Sequence, residues 1–280
     1  MTLEALAGLV GGGGVVVLSG AGLSTESGIP DYRGPTGVSR GATTPMTFQA
    51  FTTDPLAPQR YWARSHLGWH VIARARPNAG HRAVAGLQQA GLLGGLITQN
   101  VDGLHQAGGG REVVELHGSL DRVVCLRCDE RTGREQLDAR LREANPGWTA
   151  EVTSLKPDGD VELADKLVAG FVVVACLVCA GQLKPDVVFF GESVPRPRVE
   201  HCFALVEAAS ALVVLGSSLK VMSGYRFVLK AAALGIPVAI VNQGLTRGDA
   251  HASVRIDGPL GRVLPALVTA LAPTLEASAG

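Results

Sequence analysis

Four cysteines constrain this chain more than any other feature. Cys125-x-x-Cys128 and Cys176-x-x-Cys179 form two short-spaced pairs separated by 47 residues. Each two-residue turn presents two thiolates, and two such turns complete the tetrahedral Cys₄ set that holds one Zn²⁺. A redox dithiol needs only one pair, and secreted disulfide scaffolds are shorter and denser in cysteine. Four sulfur ligands leave no open position for water or substrate, so the ion is expected to be structural. Folding must then close the intervening chain into a metal-pinned insert, placed at residues 121–183. Cys202 lies in a helix-like run, where a lone cysteine reads as a small buried hydrophobe.

The rest of the composition suits a large α/β protein. The chain has 280 residues, 46% hydrophobic and 18% charged, enough apolar surface for a sizeable core. Lys+Arg and Asp+Glu balance at 25 each, which argues against nucleic acid or an anionic lipid surface as partner. No apolar run reaches the ~18 residues of a membrane span. The nearly uncharged first 23 residues lack a basic start and run into a glycine motif, so they read as helix, loop and strand rather than a signal sequence. The expected compartment is the cytoplasm.

Residues 15–18 are a β-branched apolar run, followed by Gly20-Ala21-Gly22 and by Ser24-Thr25-Glu26-Ser27, which reads as a helix start. Strand, glycine turn, helix is the opening of a dinucleotide-binding unit, in which backbone N–H groups hold the pyrophosphate. Thr25 stands where a full G-x-G-x-x-G would have its last glycine. No acidic residue is cleanly placed about twenty positions further on, which argues against hydride transfer. Further strand-like runs cover 95–98, 113–116, 187–190, 211–215 and 237–241. The predicted fold is a Rossmann-like, doubly wound parallel sheet built discontinuously from 1–40, 77–120 and 184–273. A helical module at 41–76 and the zinc insert at 121–183 interrupt it. Ligands of such sheets bind beyond the carboxyl ends of the strands. The segments found there are Gly20–Gly22, Gln99-Asn100-Val101-Asp102, His117-Gly118, Gly191-Glu192, Gly216-Ser217-Ser218 and Asn242-Gln243-Gly244.

His117 stands out among the seven histidines because it ends an apolar strand run at that edge. An imidazole there can act as general base near neutral pH. His81 and His105 read as packing or capping groups. Ser24, Thr25 and Asp102 each have an alternative reading as helix caps.

The stretch Gly20-Ala21-Gly22-Leu23-Ser24-Thr25-Glu26-Ser27-Gly28-Ile29-Pro30-Asp31-Tyr32-Arg33 resembles the sirtuins. So do Thr98-Gln99-Asn100-Val101-Asp102-Gly103-Leu104-His105, His117-Gly118, the four cysteines, Pro185-Asp186-Val187-Val188-Phe189-Phe190-Gly191-Glu192 and Gly216-Ser217-Ser218-Leu219. The motifs come in family order from residue 20 to about 260. Tyr61-Trp62-Ala63-Arg64, Pro157-Asp158-Gly159-Asp160-Val161 and Ser223-Gly224-Tyr225-Arg226-Phe227 look like the class II branch.

The resemblance implies an NAD-dependent protein lysine deacylase that transfers the acyl group to ADP-ribose and releases nicotinamide, with NAD as cosubstrate and acylated-lysine peptides as partners. It implies catalytic roles for His117, Asn100 and Asp102. It implies NAD contacts from Gly20, Ala21, Gly22, Ser24, Thr25, Asp31, Tyr32, Arg33, Gln99 and Val101, and at the distal end from Gly216, Ser217, Ser218, Asn242, Gly244 and Leu260. An extended peptide would pair near Val188, Phe190, Gly191 and Glu192, and near Ser223 on the other side. Tyr61 and Arg64 form a Tyr-x-x-Arg of the kind that reads acidic acyl groups in another sirtuin class. Protein mono-ADP-ribosylation, selectivity for acidic or lipoyl acyl groups, and an NAD-sensing interaction module remain open alternatives. None of the motifs encodes an oligomeric state.

Overall fold

The computed structural model describes residues 2–32, 45–150, 156, 158–161, 163 and 165–278. Among the described residues nine strands form: β1 (Val15–Ser19), β2 (Leu93–Thr98), β3 (Val113–Glu115), β4 (Gly118–Cys125), β5 (Arg131–Gly133), β6 (Leu183–Val187), β7 (Leu212–Leu215), β8 (Val238–Asn242) and β9 (Val254–Asp257). Six of them form a parallel sheet in the order β3-β2-β1-β7-β8-β9. Its central strands are continuous apolar runs because both faces are covered. Alternation along them separates two cores. Val15, Val17, Leu96, Val213 and Val241 pack on one face against helices α1 (Leu3–Gly11), α4 (Ala79–Gln89) and α10 (Leu260–Ser278). Val16, Leu18, Ile97, Val214 and Ile240 pack on the other against α8 (Arg196–Glu207) and α9 (Met222–Ala233), with Cys202 fully buried among them.

Strand order reverses between β1 and β7. The loops leaving these two strands therefore diverge and open a crevice at their carboxyl ends, which is where an open α/β sheet takes its ligand.

The other three strands form an antiparallel sheet, β5-β4-β6. It packs with α2 (Phe48–Thr53), α3 (Ala57–Arg74), α6 (Arg134–Ala144) and α7 (Asp165–Ala169). Phe51, Tyr61 and Trp62 from the helical segment share one core with Val123, Leu137, Leu141, Phe171 and Leu183 from the zinc-bearing segment. Trp62 Nε1 donates to the Leu183 carbonyl at 3.0 Å. Arg134 is buried to 1% exposure, its guanidinium 4.8 Å from the Trp69 ring and 3.6 Å from Asp138. The two segments thus build a single small lobe.

Three expectations are corrected. The run at 187–190 is not a strand of the parallel sheet: β6 ends at Val187, and Val188 N–H and the Phe190 carbonyl bond instead to His117 and Phe48. Phe189 is drawn into the small lobe's core, which turns the run away from the main sheet. The segment after Gly22 is no α-helix but two 3₁₀ turns, Ala21–Leu23 and Thr25–Ser27. Gly28 at φ 84° closes the second turn, and Pro30 follows it. Finally, β9 was not anticipated, because Arg255 and Asp257 interrupt its apolar pattern as suits an edge strand. Among the described residues no helix is long and apolar enough to cross a membrane.

Candidate active site

A cleft of 680 Å³ lies between the carboxyl edge of the parallel sheet and the small lobe. Its base is the contact between the loops that follow β1 and β7. Gly22 N–H donates to the Gly216 carbonyl at 2.8 Å, and a Cβ on Gly22 would stand 2.9 Å from Gly216 Cα. Gly216 itself has φ 63°. Glycine at both positions lets the two backbones touch. Gly20, Ala21, Gly22, Ser24, Thr25, Gly216, Ser217, Ser218, Asn242 and Leu260 all face this part of the cleft.

The polar floor is supplied by the loop after β2. Gln99 Nε2 donates to Ser217 Oγ at 2.8 Å, tying that loop to the one after β7. Asn100 Nδ2 donates to the Gly20 carbonyl and to Ser24 Oγ, both at 3.1 Å. Ser24 Oγ donates to Asp102 Oδ2 at 2.6 Å, while Asp102 Oδ1 accepts Leu104 N–H at 2.9 Å. Asp102 therefore holds the first N–H of α5 (Leu104–Ala107), whose N-cap is Gly103, and also belongs to the cleft. Burial raises its carboxyl above the usual range.

His81 and His105 sit behind this floor. His81 completes a capping box with Asn78, and burial lowers its imidazole to about 4. His105 Nε2 lies 2.7 Å from Ser19 Oγ, with its imidazole lowered by burial to about 3. Both are neutral packing and capping groups.

His117 differs from them in facing the cleft. Its Nδ1 is 2.9 Å from the Gln99 carbonyl oxygen, and its Nε2 is 2.8 Å from Ser223 Oγ. A carbonyl only accepts, so the Nδ1 must carry the proton, which leaves the Nε2 lone pair directed at the cleft. Burial lowers the imidazole below its ordinary value. The group is thus a neutral base in a defined tautomer at neutral pH.

The far wall is aromatic. Tyr32 meets Phe190 edge-on at 6.1 Å, and Tyr61 packs against Phe189 and Phe51 at 5.2 and 5.6 Å. Asp31, Val101, Val188, Gly191 and Glu192 also line the cleft. Glu192 accepts from Phe189 N–H at 2.8 Å and pairs with Lys184 at 3.1 Å, which shapes the 187–192 loop. Two anticipated residues are not among the lining ones. Gly244 donates its N–H to Asp257 at 3.1 Å, and the Arg64 guanidinium lies 3.8 Å from Asp160. Arg33 falls outside the described residues. Sequence reasoning did not single out Met46 or Asp158 as cleft residues, whereas Ser223, expected beside the peptide, does line the cleft. For Asp158 the available signal was its Asp-Gly-Asp turn within an otherwise polar insert.

Away from the cleft, the four cysteine sulfurs lie within 4.8 Å of one another. Cys125 and Cys179 sulfurs are 3.5 Å apart, and those of Cys128 and Cys176 are 3.8 Å apart. A tetrahedron with Zn–S bonds of about 2.3 Å has edges of about 3.8 Å, so the donor set fits one Zn²⁺.

A profile of the Sir2 family matches residues 20–223. The chain belongs to the Sir2 family. It is 63% identical over 257 residues to the NAD-dependent protein deacetylase 1 of Streptomyces coelicolor, covering 92% of this chain and 85% of that protein. It is 49% identical over 273 residues to the NAD-dependent protein deacetylase 1 of Mycobacterium avium, covering 96% and 95%. A solved Sir2 structure with a p53 peptide and NAD+ superimposes with a TM-score of 0.76 at 29% identity, covering 96% of this chain and 98% of that one. Another, of Sir2 bound to acetylated peptide, gives 0.75 at 27% identity with the same coverage. In this Sir2 chain the family match ends at Ser223, the residue bonded to the cleft-facing nitrogen of His117.

Proposed function

We propose that this Sir2 protein is an NAD-dependent protein lysine deacylase, and the observation that carries the reading is the placement of His117 in the cleft with its Nδ1 2.9 Å from the Gln99 carbonyl oxygen. NAD, when bound, supplies ADP-ribose as acyl acceptor and nicotinamide as leaving group. The glycine loop at Gly20 to Gly22, with Thr25, Ser217 and Ser218, would hold its phosphates through backbone N–H and hydroxyl groups. Asn242 and Leu260 would take the adenosine end. Gln99, Asn100 and Asp102 would orient the nicotinamide end, where amide and carboxyl groups match a ligand that offers hydroxyls and a carboxamide.

His117 Nε2 would take a ribose hydroxyl proton, while the Gln99 carbonyl stabilises the imidazolium so formed through Nδ1–H. Tyr32 and Phe190 would exclude water from the reacting face. The acylated peptide would lie extended along residues 188–192, where main-chain pairing gives modest sequence selectivity. The Cys₄ zinc supports the lobe and takes no part in the reaction, because its coordination is full. Thiols poised for metal suit a reducing compartment, and we place the protein in the cytoplasm.

The test is to incubate purified protein with NAD and an acetyl-lysine peptide and to follow products by mass spectrometry. Free lysine peptide, nicotinamide and O-acetyl-ADP-ribose in equal amounts support the reading. NAD consumption with ADP-ribose attached to protein and the peptide untouched would replace it with ADP-ribosyl transfer.

A further inference from the structure

One corner of the cleft is not made by the parallel sheet. Lys156 and residues 158–161 of the zinc-bearing segment form a tight turn, with Gly159 N–H donating to the Lys156 carbonyl at 2.9 Å and Lys156 N–H to the Asp160 carbonyl at 2.8 Å. Gly159 takes φ 72°, which only glycine adopts at little cost. The turn is pressed onto α3: a Cβ at Gly68 would run into the Gly159 carbonyl oxygen and stand 2.9 Å from Val161 Cγ1. Val161 is fully buried. Asp160 anchors the turn, its carboxylate 2.9 Å from Lys156 Nζ and 3.8 Å from the Arg64 guanidinium.

The corner of this turn is Asp158, which lines the cleft beside Tyr32, Tyr61 and Met46. Its Oδ1 accepts Asp160 N–H at 3.3 Å, and the Tyr32 hydroxyl bonds to its carboxyl group. Among the described residues no ion pair includes Asp158, whereas both nearby cations, Lys156 and Arg64, converge on Asp160. With Asp158 ionised the four side chains balance, two positive against two negative, and burial and the neighbouring Asp160 already hold the Asp158 carboxyl above its ordinary value.

We infer that Asp158 is a selectivity residue of the acyl-lysine cleft, barring acyl chains that end in a carboxylate and admitting neutral ones. The inference rests on the deacylase reading. An anionic chain end beside Asp158 would be a third negative group against two cations. Two carboxyl groups in one poorly solvated site cannot both ionise cheaply, so one of them must bind a proton or the ligand is rejected. The Tyr61-x-x-Arg64 pattern would favour acidic acyl groups only if its arginine reached the cleft, and Arg64 is engaged by Asp160 instead.

An isosteric pair tests this. Peptides carrying succinyl-lysine and the neutral succinamoyl-lysine have the same size and differ in charge. With NAD and wild-type protein, kcat/KM for the succinamoyl peptide should exceed that for the succinyl peptide by at least about tenfold. In Asp158→Asn, which keeps the shape and an acceptor for Asp160 N–H, the ratio should collapse to within about threefold. Equal handling of the two peptides by the wild type would overturn the inference, and so would a folded D158N variant that keeps the full discrimination. The wild-type comparison decides even if the variant does not fold. An acetyl-lysine peptide run alongside separates the two levels: its turnover with equal handling of the pair sinks the selectivity role alone, and its failure to react sinks the deacylase reading as well.

Discussion

His117 Nδ1 donates its proton to the backbone carbonyl of Gln99 across 2.9 Å. That bond joins the base to the loop expected to orient the nicotinamide end, so the proton acceptor and the ligand-holding loop move as one body. It also leaves the other ring nitrogen as the lone basic atom, shared in this structure only with the Ser223 hydroxyl.

The first prediction concerns pH. Burial lowers His117, so the imidazole stays neutral to lower pH than a free one. The acid limb of kcat/KM on an acetyl-lysine peptide should accordingly fall below the usual ~6.5. His117→Ala should cost about 10²- to 10⁴-fold in turnover and leave Tm unchanged. An acid limb at or above the free-imidazole value, or an active alanine variant, would contradict the assignment.

Asp102 carries a stability prediction of opposite slope to its functional one. Its carboxyl is raised by burial, so the folded protein binds this proton more tightly than the unfolded chain does. The associated stability is present below the unfolded value of ~3.9 and is lost as pH rises through the folded value. Asp102→Asn removes that loss while keeping the shape. Measured by thermal melting, the variant's Tm relative to wild type should rise as pH increases above the unfolded value of ~3.9, while turnover falls. A Tm difference that does not change with pH would show that Asp102 is not raised.

At the base of the cleft, Gly22→Ala would place a Cβ 2.9 Å from Gly216 Cα and carbonyl oxygen. The two loops must part to admit it, at a cost of about 1–3 kcal/mol. The Tm increase on adding NAD should disappear in this variant. Retention of the full NAD-dependent shift would mean that the close approach of these loops does not form the phosphate site.

Metal removal should act through the fold. Each chain should contain one Zn²⁺, and Cys125→Ser should lose the ion, lower Tm and lose activity together, because thiolates gathered without a cation repel one another. The loss in stability should be at least about 4 kcal/mol for an ion held a thousandfold above its dissociation constant. An inactive C125S variant with normal zinc content and melting would put the cysteines in the chemistry.

The sequence announced those parts of the fold in which local chemistry and tertiary role agree. β1, β7 and β8 are apolar on both faces and end in small or polar residues, so the strands and the ligand edge could be read directly. His117, Asn100 and the cysteine pairs were legible for the same reason. Periodicity failed where the tertiary partner decides. The run at 187–190 has strand composition, but Phe189 finds its partners in Tyr61 and Phe51 of a different lobe. The segment after Gly22 has helix-starting residues, yet Gly28 closes it after one turn. The Asp-Gly-Asp turn that carries Asp158 was visible in the sequence, but its place at the cleft was not, because the turn is seated against Gly68, ninety residues earlier in the chain.

Trp62 accepts its covering from far downstream: the carbonyl that takes its indole N–H belongs to Leu183, 121 residues later. At roughly 5–20 residues per second of synthesis, the aromatic face of α3 emerges on the order of 6–24 seconds before β6 exists to cover it. During that interval Phe51, Tyr61 and Trp62 are an apolar surface without its partner strands. The nascent chain is therefore most exposed to aggregation between the emergence of α3 and that of β6, and a pause in translation anywhere in that window would lengthen the hazard.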